Sequence, residues 1–352
     1  MIIQLELTWG LLVEVFSFTT AFTLGLLFIT SSSENKKANV FLGLSLLALA
    51  VEVLHVLLQN IEVIFSEEWA LPSLFTIPFL LLYVLKTINR SLDAKYYLLL
   101  LPGLVLTGIP ISSAAIRCVE YLFNGLLLCY ILFFLKEHRE KVNNYYSDLE
   151  DVTLKWIKLI VYIFLGFHIF WIFEDIISFY KEDVDVYFAS VSSILTFVMI
   201  FWIGHKGFSQ PEIFKNKQFI APVVLPEVVD VLVENQEDIE RYNSLYERIE
   251  KEQLYLDSKL NLHSLSAALG LSKKELSRLI NQQGDCNFYQ FINQFRVNEF
   301  KKLLKSPKAA QLSLLGLAQE AGFGSKSTFY SAFKAIEGMS PKQYELSLKK
   351  SE

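Results

Sequence analysis

Residues 317–344 read LAQEAGFGSKSTFYSAFKAIEGMSPKQY. Its first residues belong to a short apolar helix pattern, SLLGLAQEAGFG (313–324), which ends at Gly322 and Gly324. Ser325 then stands where a side chain would cap the start of a second helix, KSTFYSAFKAI. A short helix, a tight turn and a second helix form a helix-turn-helix unit. This stretch therefore predicts one such unit.

The same layout occurs once more upstream. The pattern LHSLSAALG ends at Gly270, and Ser272 begins SKKELSRLINQQ with Glu275 three residues later, which is capping-box spacing. The long helical pattern FYQFINQFRVNEFKKLL joins the two units. Residues 256–352 are therefore predicted to form a tandem helix-turn-helix domain.

The second helix of each unit carries the side chains that a DNA-facing helix needs. Hydroxyl groups near a helix start reach base edges and phosphates, and Lys and Arg neutralise phosphates and release counterions. Leu276, Leu279, Ile280, Phe329 and Phe333 are predicted to face the core instead. The predicted DNA-contact residues are Ser272, Lys273, Lys274, Ser277, Arg278, Ser325, Lys326, Ser327, Thr328, Tyr330, Ser331 and Lys334.

Charge is divided unevenly along the chain. Residues 1–205 hold 12 Lys+Arg and 19 Asp+Glu, residues 206–255 hold 6 and 10, and residues 256–352 hold 14 and 8. The net charges are −7, −4 and +6. A basic C-terminal domain suits a polyanionic partner such as duplex DNA.

The stretch 317–344 resembles the signature of the AraC family of bacterial transcription activators. The upstream unit is similar to the same family, and 288–304 resembles its long connecting helix. Two positions depart from the pattern: Ser266 replaces the usual Ala, and Glu345 replaces an Arg that often supplies a phosphate contact. The resemblance implies a bacterial transcription regulator that binds duplex DNA in a sequence-specific way. The matching positions are Leu265, Leu269, Gly270, Ser272, Leu276, Ser277, Arg278, Leu317, Ala318, Gly322, Phe323, Ser325, Phe329, Phe333, Lys334, Gly338, Ser340, Pro341 and Tyr344.

The N-terminal part has a different composition. Its apolar runs are long enough to cross a hydrocarbon core of about 30 Å, which takes about 20 helical residues. We expect seven transmembrane helices in residues 1–205, and the whole protein is predicted to be all-α. The predicted spans are 9–30, 38–60, 69–88, 96–115, 116–135, 155–178 and 186–204.

Basic residues in short loops predict the orientation, because they accumulate on the cytoplasmic side. One set of alternate loops contains most of them, and the other contains only Arg117 and Lys181. The N-terminus is therefore predicted outside and residue 206 onward inside, in a multi-pass protein of the bacterial inner membrane. The cytoplasmic set is Lys36, Lys37, Lys86, Arg90, Lys95, Lys136, Arg139, Lys141, Lys155, Lys158 and Lys206.

Residues 206–255 form an acidic connector with a helical pattern at about 227–253. Its apolar side chains fit heptad positions, with the polar Asn235 at one of them. Two alternatives remain open: the helix packs on its own domain, or it is a stalk that forms a homodimer. The heptad residues are Val228, Leu232, Ile239, Tyr242, Tyr246 and Ile249.

Ionisable residues within the predicted spans are costly in a bilayer and mark candidate functional positions. They lie in the outer halves of their helices, where they would form a pocket for an extracytoplasmic ligand or proton. The acidic composition favours a cation or an amine. Polar contacts between helices are the alternative explanation. The candidate signal-site residues are Glu14, Glu52, His55, Glu120, His168 and Asp175.

Two alternative functions remain open. His55 and His168 with a carboxylate could hold a catalytic metal in an intramembrane enzyme, and the membrane half could be a passive anchor. The sequence favours neither, because only two histidines lie in the spans and an anchor needs no buried carboxylates. We expect no catalytic residue, no metal site and no cofactor. The expected partners are double-stranded DNA, the lipid bilayer and the unidentified signal.

Overall fold

The computed structural model divides the chain into two compact units, which are described separately. The first contains residues 1–136 and 154–222, and the second contains 137–153 and 223–352. Apart from one β-bridge between Tyr146 and Asn261, all regular secondary structure in the described ranges is helical. The described residues are 9–31, 36–61, 63, 73–88, 92–106, 113–148, 154–178, 180, 185–208 and 236–351.

In the described residues, the first unit is built from mainly apolar helices. α1 and α2 pack closely because both carry glycine where they cross: a Cβ on Gly43 would lie 2.6 Å from the carbonyl oxygen of Gly25. Small residues allow such close helix approach in membranes. The helices are α1 (Trp9–Thr30), α2 (Lys36–Asn60), α3 (Ser73–Thr87), α4 (Ala94–Tyr97), α5 (Leu101–Leu106), α6 (Ser113–Asn143, of which the last turns belong to the second unit), α7 (Lys155–Ser178) and α8 (Asp185–Phe208).

Four helices in the described ranges are long and apolar enough to cross a membrane: Trp9–Thr30, Lys36–Asn60, Arg117–Asn143 and Trp156–Ile177. Many of their large apolar side chains point outward, including Leu126 and Phe133. These features indicate association with a membrane.

The seven predicted spans are thus supported only in part. α3 has 15 residues, about 22 Å at 1.5 Å per residue, and its predicted beginning at residue 69 lies outside the described residues. The predicted span 96–115 is represented by two short helices, which the 3₁₀ turn Leu98–Leu100 separates. α8 has 24 residues but is not among the four candidate spans.

The second unit has two hydrophobic cores that share one long helix. Phe291, Ile292 and Phe295 of α12 belong to the first core, and Val297 and Phe300 belong to the second. The helices of this unit are α9 (Gln236–Lys251), α10 (Leu262–Leu269), α11 (Lys273–Gln283), α12 (Phe288–Leu304), α13 (Leu314–Glu320), α14 (Lys326–Glu337) and α15 (Pro341–Ser351).

The described part of the connector, α9, packs on the first core. Leu245 and Ile249 are buried, and the ring centroids of Tyr246 and Phe295 lie 4.4 Å apart. Helix α9 therefore packs its apolar stripe on its own domain, which was one of the two alternatives for the connector. Val228, Leu232 and Asn235 lie outside the described residues, and formation of a homodimer stays a prediction.

The second unit also includes the segment that follows α6. The backbone N–H of Leu262 donates to the carbonyl of Tyr145 at 2.9 Å, and the hydroxyl of Ser147 donates to the carbonyl of Leu260 at 2.6 Å. The core therefore reaches beyond residues 256–352 in two directions, because Tyr255 is also buried in it. We call residues 144–148 the docked loop.

A buried guanidinium joins the docked loop to α12. Arg296 is 0% exposed. Its Nε donates to the carbonyl of Tyr255 at 2.8 Å, and Nη2 donates to the carbonyl of Asp257 at 2.7 Å and to the hydroxyl of Ser147 at 3.1 Å. Nη1 donates to the carbonyl of Ser147 at 3.3 Å. Burial lowers the pKa of Arg296 to about 10, so the group remains a cation at neutral pH.

Candidate nucleic-acid interface

The first module has the predicted helix, turn and helix. Asn261 caps α10, and Gly270 ends it with φ 71°, a left-handed conformation that favours glycine. The hydroxyl of Ser272 accepts from the backbone N–H of Glu275 at 3.1 Å, which begins α11. The carboxylate of Glu275 accepts from Nη1 of Arg241 on α9 at 3.1 Å. The serine half of the predicted capping box is therefore present, whereas the side chain of Glu275 pairs with Arg241.

The second module repeats this arrangement. Ser313 caps α13, and Gly322 in the turn has φ 92°. A Cβ on Gly322 would lie 2.4 Å from the carbonyl oxygen of Tyr255, so the turn fits only around glycine. The hydroxyl of Ser325 accepts from the backbone N–H of Thr328 at 3.2 Å and begins α14. Both second helices thus start at a serine cap, as predicted.

The described surface presents ten of the twelve predicted DNA-contact residues. Ser272, Lys274, Lys326, Tyr330, Ser331 and Lys334 are exposed, and Lys273, Arg278, Ser325 and Ser327 are partly exposed. The five apolar residues predicted to face the core are all buried. Each second helix therefore has a polar face and an apolar face.

The other two predicted contact residues are buried. Ser277 is 5% exposed and accepts from the side-chain amide of Asn281 at 3.4 Å, and Thr328 is 3% exposed. Both lie next to core residues, Leu276 and Phe329, on the side of their helix that turns inward. In this arrangement they are not presented to a partner.

Two acidic residues that the sequence did not single out contact the polar faces. Nη2 of Arg278 donates to Oδ1 of Asp238 on α9 at 2.8 Å, and this bond holds the pKa of Asp238 below its ordinary value. In the second module, Oδ1 of Asp148 accepts from the hydroxyls of Ser325 at 3.0 Å and Thr328 at 2.7 Å. Asp148 is 177 residues before Ser325, and no local pattern could indicate this contact.

Comparisons with known proteins agree with this geometry. A family model described as a helix-turn-helix domain matches residues 265–346. The C-terminal domain is an AraC-type helix-turn-helix domain. The chain is also 30% identical over 91 residues to the probable transcriptional regulator LumQ of Photobacterium leiognathi.

That similarity is confined to part of each protein. It covers 26% of this chain and 36% of LumQ, so the chain spans about a third of the length of this relative. No solved structure matches the chain significantly.

The first unit contains a polar cavity of about 90 Å³ between α2, α3, α6, α7 and α8. Three of the six candidate signal-site residues, Glu52, Glu120 and His168, line it together with Tyr121 and Asn124. Asn124 is 0% exposed, and neither its amide oxygen nor its amide nitrogen has a hydrogen-bond partner among the described atoms. Such a buried amide is costly unless a further molecule satisfies it.

The other three predicted signal-site residues lie outside the lining of this cavity. Glu14 accepts from the side-chain amide of Asn60 at 2.8 Å and from Ser193 at 3.3 Å. Asp175 pairs with Arg117 at 3.2 Å and accepts from the hydroxyl of Tyr121 at 3.0 Å, so it contacts a residue that lines the cavity. His55 is partly exposed on α2. No group of three or more His, Cys, Asp and Glu in the described part could hold a metal ion.

Proposed function

We propose that the protein is a membrane-bound regulator of transcription that binds duplex DNA through α11 and α14 and responds to an extracytoplasmic signal. The observation that supports this most is the presence, in one chain, of four membrane-length apolar helices and an AraC-type domain. The proposed arrangement has seven spans, an outer N-terminus and a cytoplasmic C-terminal domain at the inner membrane.

The polar faces of α11 and α14 support the DNA-binding part of the proposal. Lys274 on α11 and Lys326 and Lys334 on α14 are exposed beside hydroxyl side chains. In tandem modules, each recognition helix enters a major-groove segment, and the two segments lie about one helical turn apart. Sequence would be read by the side chains near each helix start, and the lysines would neutralise phosphates.

Replacing Lys326 with Ala is expected to weaken DNA binding of the full-length protein by about 1–3 kcal/mol, if the side chain pairs with guanine. Binding can be measured by fluorescence anisotropy in detergent at several salt concentrations. Lys342→Ala is the matched control, because Lys342 is exposed on α15, outside both recognition helices. Equal loss in the two variants, or no salt-dependent binding by the wild type, would contradict the proposed interface.

We place the signal site in the polar cavity of the first unit. Two carboxylates and an imidazole surround a space of about 90 Å³, and the amide of Asn124 offers both a donor and an acceptor. A cavity of this size has room for several waters or for a small ligand. The lining suits a small cation, a small amine or a proton better than an anion.

Glu52→Gln and His168→Ala are each expected to fix a reporter gene in one state while membrane insertion and DNA binding persist, because each removes a polar group of the cavity. His55→Ala is the matched control, since His55 is on the same helix as Glu52 but outside the cavity lining. A normal response of the Glu52 and His168 variants to the natural inducing condition would favour the passive anchor.

A further inference from the structure

We propose that Asp148 and Asp238 restrain the two recognition helices, so that docking of these carboxylates and binding of DNA exclude each other. This inference rests on the proposed function, because it assumes that α11 and α14 contact DNA. Each carboxylate belongs to a segment outside the two helix-turn-helix modules.

Asp148 occupies the end of α14 where an anion is best accommodated. The N-terminus of a helix presents unpaired N–H groups and the positive end of its dipole, and it commonly binds phosphate. Here a carboxylate oxygen accepts from the hydroxyls of Ser325 and Thr328, at 3.0 and 2.7 Å. In protein–DNA complexes, such hydroxyl groups and helix starts contact phosphate oxygens. The carboxylate therefore stands in the place of a DNA phosphate.

The turn before α14 lies close to this carboxylate. A Cβ on Gly324 would lie 2.6 Å from Oδ2 of Asp148, so a larger residue there would have to displace this carboxylate. The preceding residue is fixed as well, because Arg296 and the side-chain amide of Asn293 both donate to the carbonyl of Ser147. Asp148 is thus held at α14 by buried contacts of its own loop.

Asp238 restrains α11 in a comparable way. The guanidinium of Arg278, which is the arginine on the recognition face of this helix, donates to both carboxylate oxygens of Asp238. While this ion pair persists, the N–H groups that Nη1 and Nη2 donate to Asp238 are not available to guanine or a phosphate, and the guanidinium is held against α9. Glu275 of α11 is also paired with Arg241 of α9, so α9 contacts α11 through two ion pairs.

Chain connectivity gives these contacts a route to the signal. The docked loop continues directly from α6, and α9 follows α8 after residues 209–235. A ligand-induced displacement of α6 therefore has a direct covalent route to Asp148. Withdrawal of Asp148 would then release α14.

The test uses full-length protein in nanodiscs and a pool of random-sequence DNA duplexes. Asp148→Ala and Asp238→Ala are each expected to tighten DNA binding about tenfold. Asp285→Asn is the matched control for charge: Asp285 is an exposed carboxylate of the same unit, and its φ of 45° suits asparagine. The duplexes enriched by Asp148→Ala should contain two half-sites about one helical turn apart, because α14 is then available.

The other outcomes would contradict either this inference or the proposed function on which it rests. Weaker binding by both alanine variants would mean that the two carboxylates position the helices for DNA, and the inference would be wrong. A gain in DNA affinity equal to that of Asp285→Asn would mean that the carboxylates act only through general charge repulsion, and the inference would be wrong. If hydrogen exchange shows that an alanine variant is misfolded, the corresponding asparagine variant, Asp148→Asn or Asp238→Asn, replaces it. A smaller gain in DNA affinity is then expected, and an unchanged affinity would contradict the inference. Absence of DNA binding in every form would instead refute the proposed function.

Discussion

Replacing Arg296 with methionine is expected to lower the free energy of unfolding of the second unit by about 2–4 kcal/mol, since the buried carbonyl of Tyr255 loses its donor, at about 1–3 kcal/mol, and the hydrogen bonds to Ser147 and Asp257 are lost as well. Methionine fills much of the space but donates no hydrogen bond. The carbonyl of Tyr255 would then lose the donor that Arg296 supplies, whereas the carbonyls of Ser147 and Asp257 keep the side-chain amide of Asn293 and the backbone N–H of Leu260. Lysine at this position retains the charge but not the planar fork, and we expect an intermediate loss.

Hydrogen exchange of peptides from α12, followed by mass spectrometry in the full-length protein, measures this free energy locally. Arg248→Ala is the matched control. Arg248 also donates to two backbone carbonyls, those of Ala268 and Leu269, but it is exposed, so its loss should cost less than about 1 kcal/mol. Equal destabilisation by the Arg248 and Arg296 variants would show that the buried hydrogen bonds of Arg296 contribute no more to stability than exposed ones.

Gly322→Ala is expected to destabilise the second unit by about 2–4 kcal/mol, from backbone strain together with overpacking. The φ of 92° is unfavourable for alanine. The added methyl group would also lie 2.4 Å from the carbonyl oxygen of Tyr255 and 2.7 Å from Cα of Leu256. Both neighbours are backbone atoms, so a side-chain rotation cannot relieve the overlap.

Gly338→Ala separates the two contributions. Gly338 ends α14 with φ 72°, but a Cβ there would meet nothing within 4 Å among the described atoms. Only the strain of the left-handed conformation remains, for which we expect about 1 kcal/mol. Thermal unfolding of the two variants side by side measures the difference. Similar losses would mean that the turn at Gly322 rearranges to accept a methyl group.

Local features of the C-terminal half could be predicted from the sequence because they depend on neighbouring residues. The serine caps at 272 and 325 and the inward-facing residues Leu276 and Phe329 follow from helix capping and helix periodicity. Burial of Ser277 and Thr328 was missed, because a hydroxyl group satisfied by a neighbour can lie at the edge of a core.

Contacts between distant residues could not be predicted in this way. Arg296 and Ser147 are 149 residues apart, and nothing in either local sequence indicates that they meet. In the membrane half, the sequence indicated which polar residues lie in the outer halves of the predicted spans, but helix packing decides which of them converge. It brings together Glu52, Glu120 and His168 and leaves out His55.

The second unit is formed by two separate segments of the chain, which affects how the protein folds during synthesis. Ser147 leaves the ribosome 149 residues before Arg296, which is roughly 7–30 s at ordinary synthesis rates. If the chain crosses a bilayer as proposed, the Arg296 network can close only when both segments lie on the same side of it. An odd number of crossings between Ser147 and Arg296 would leave the guanidinium without the hydroxyl and the carbonyl of Ser147. Complete folding of the second unit therefore requires an even number of crossings between these two residues.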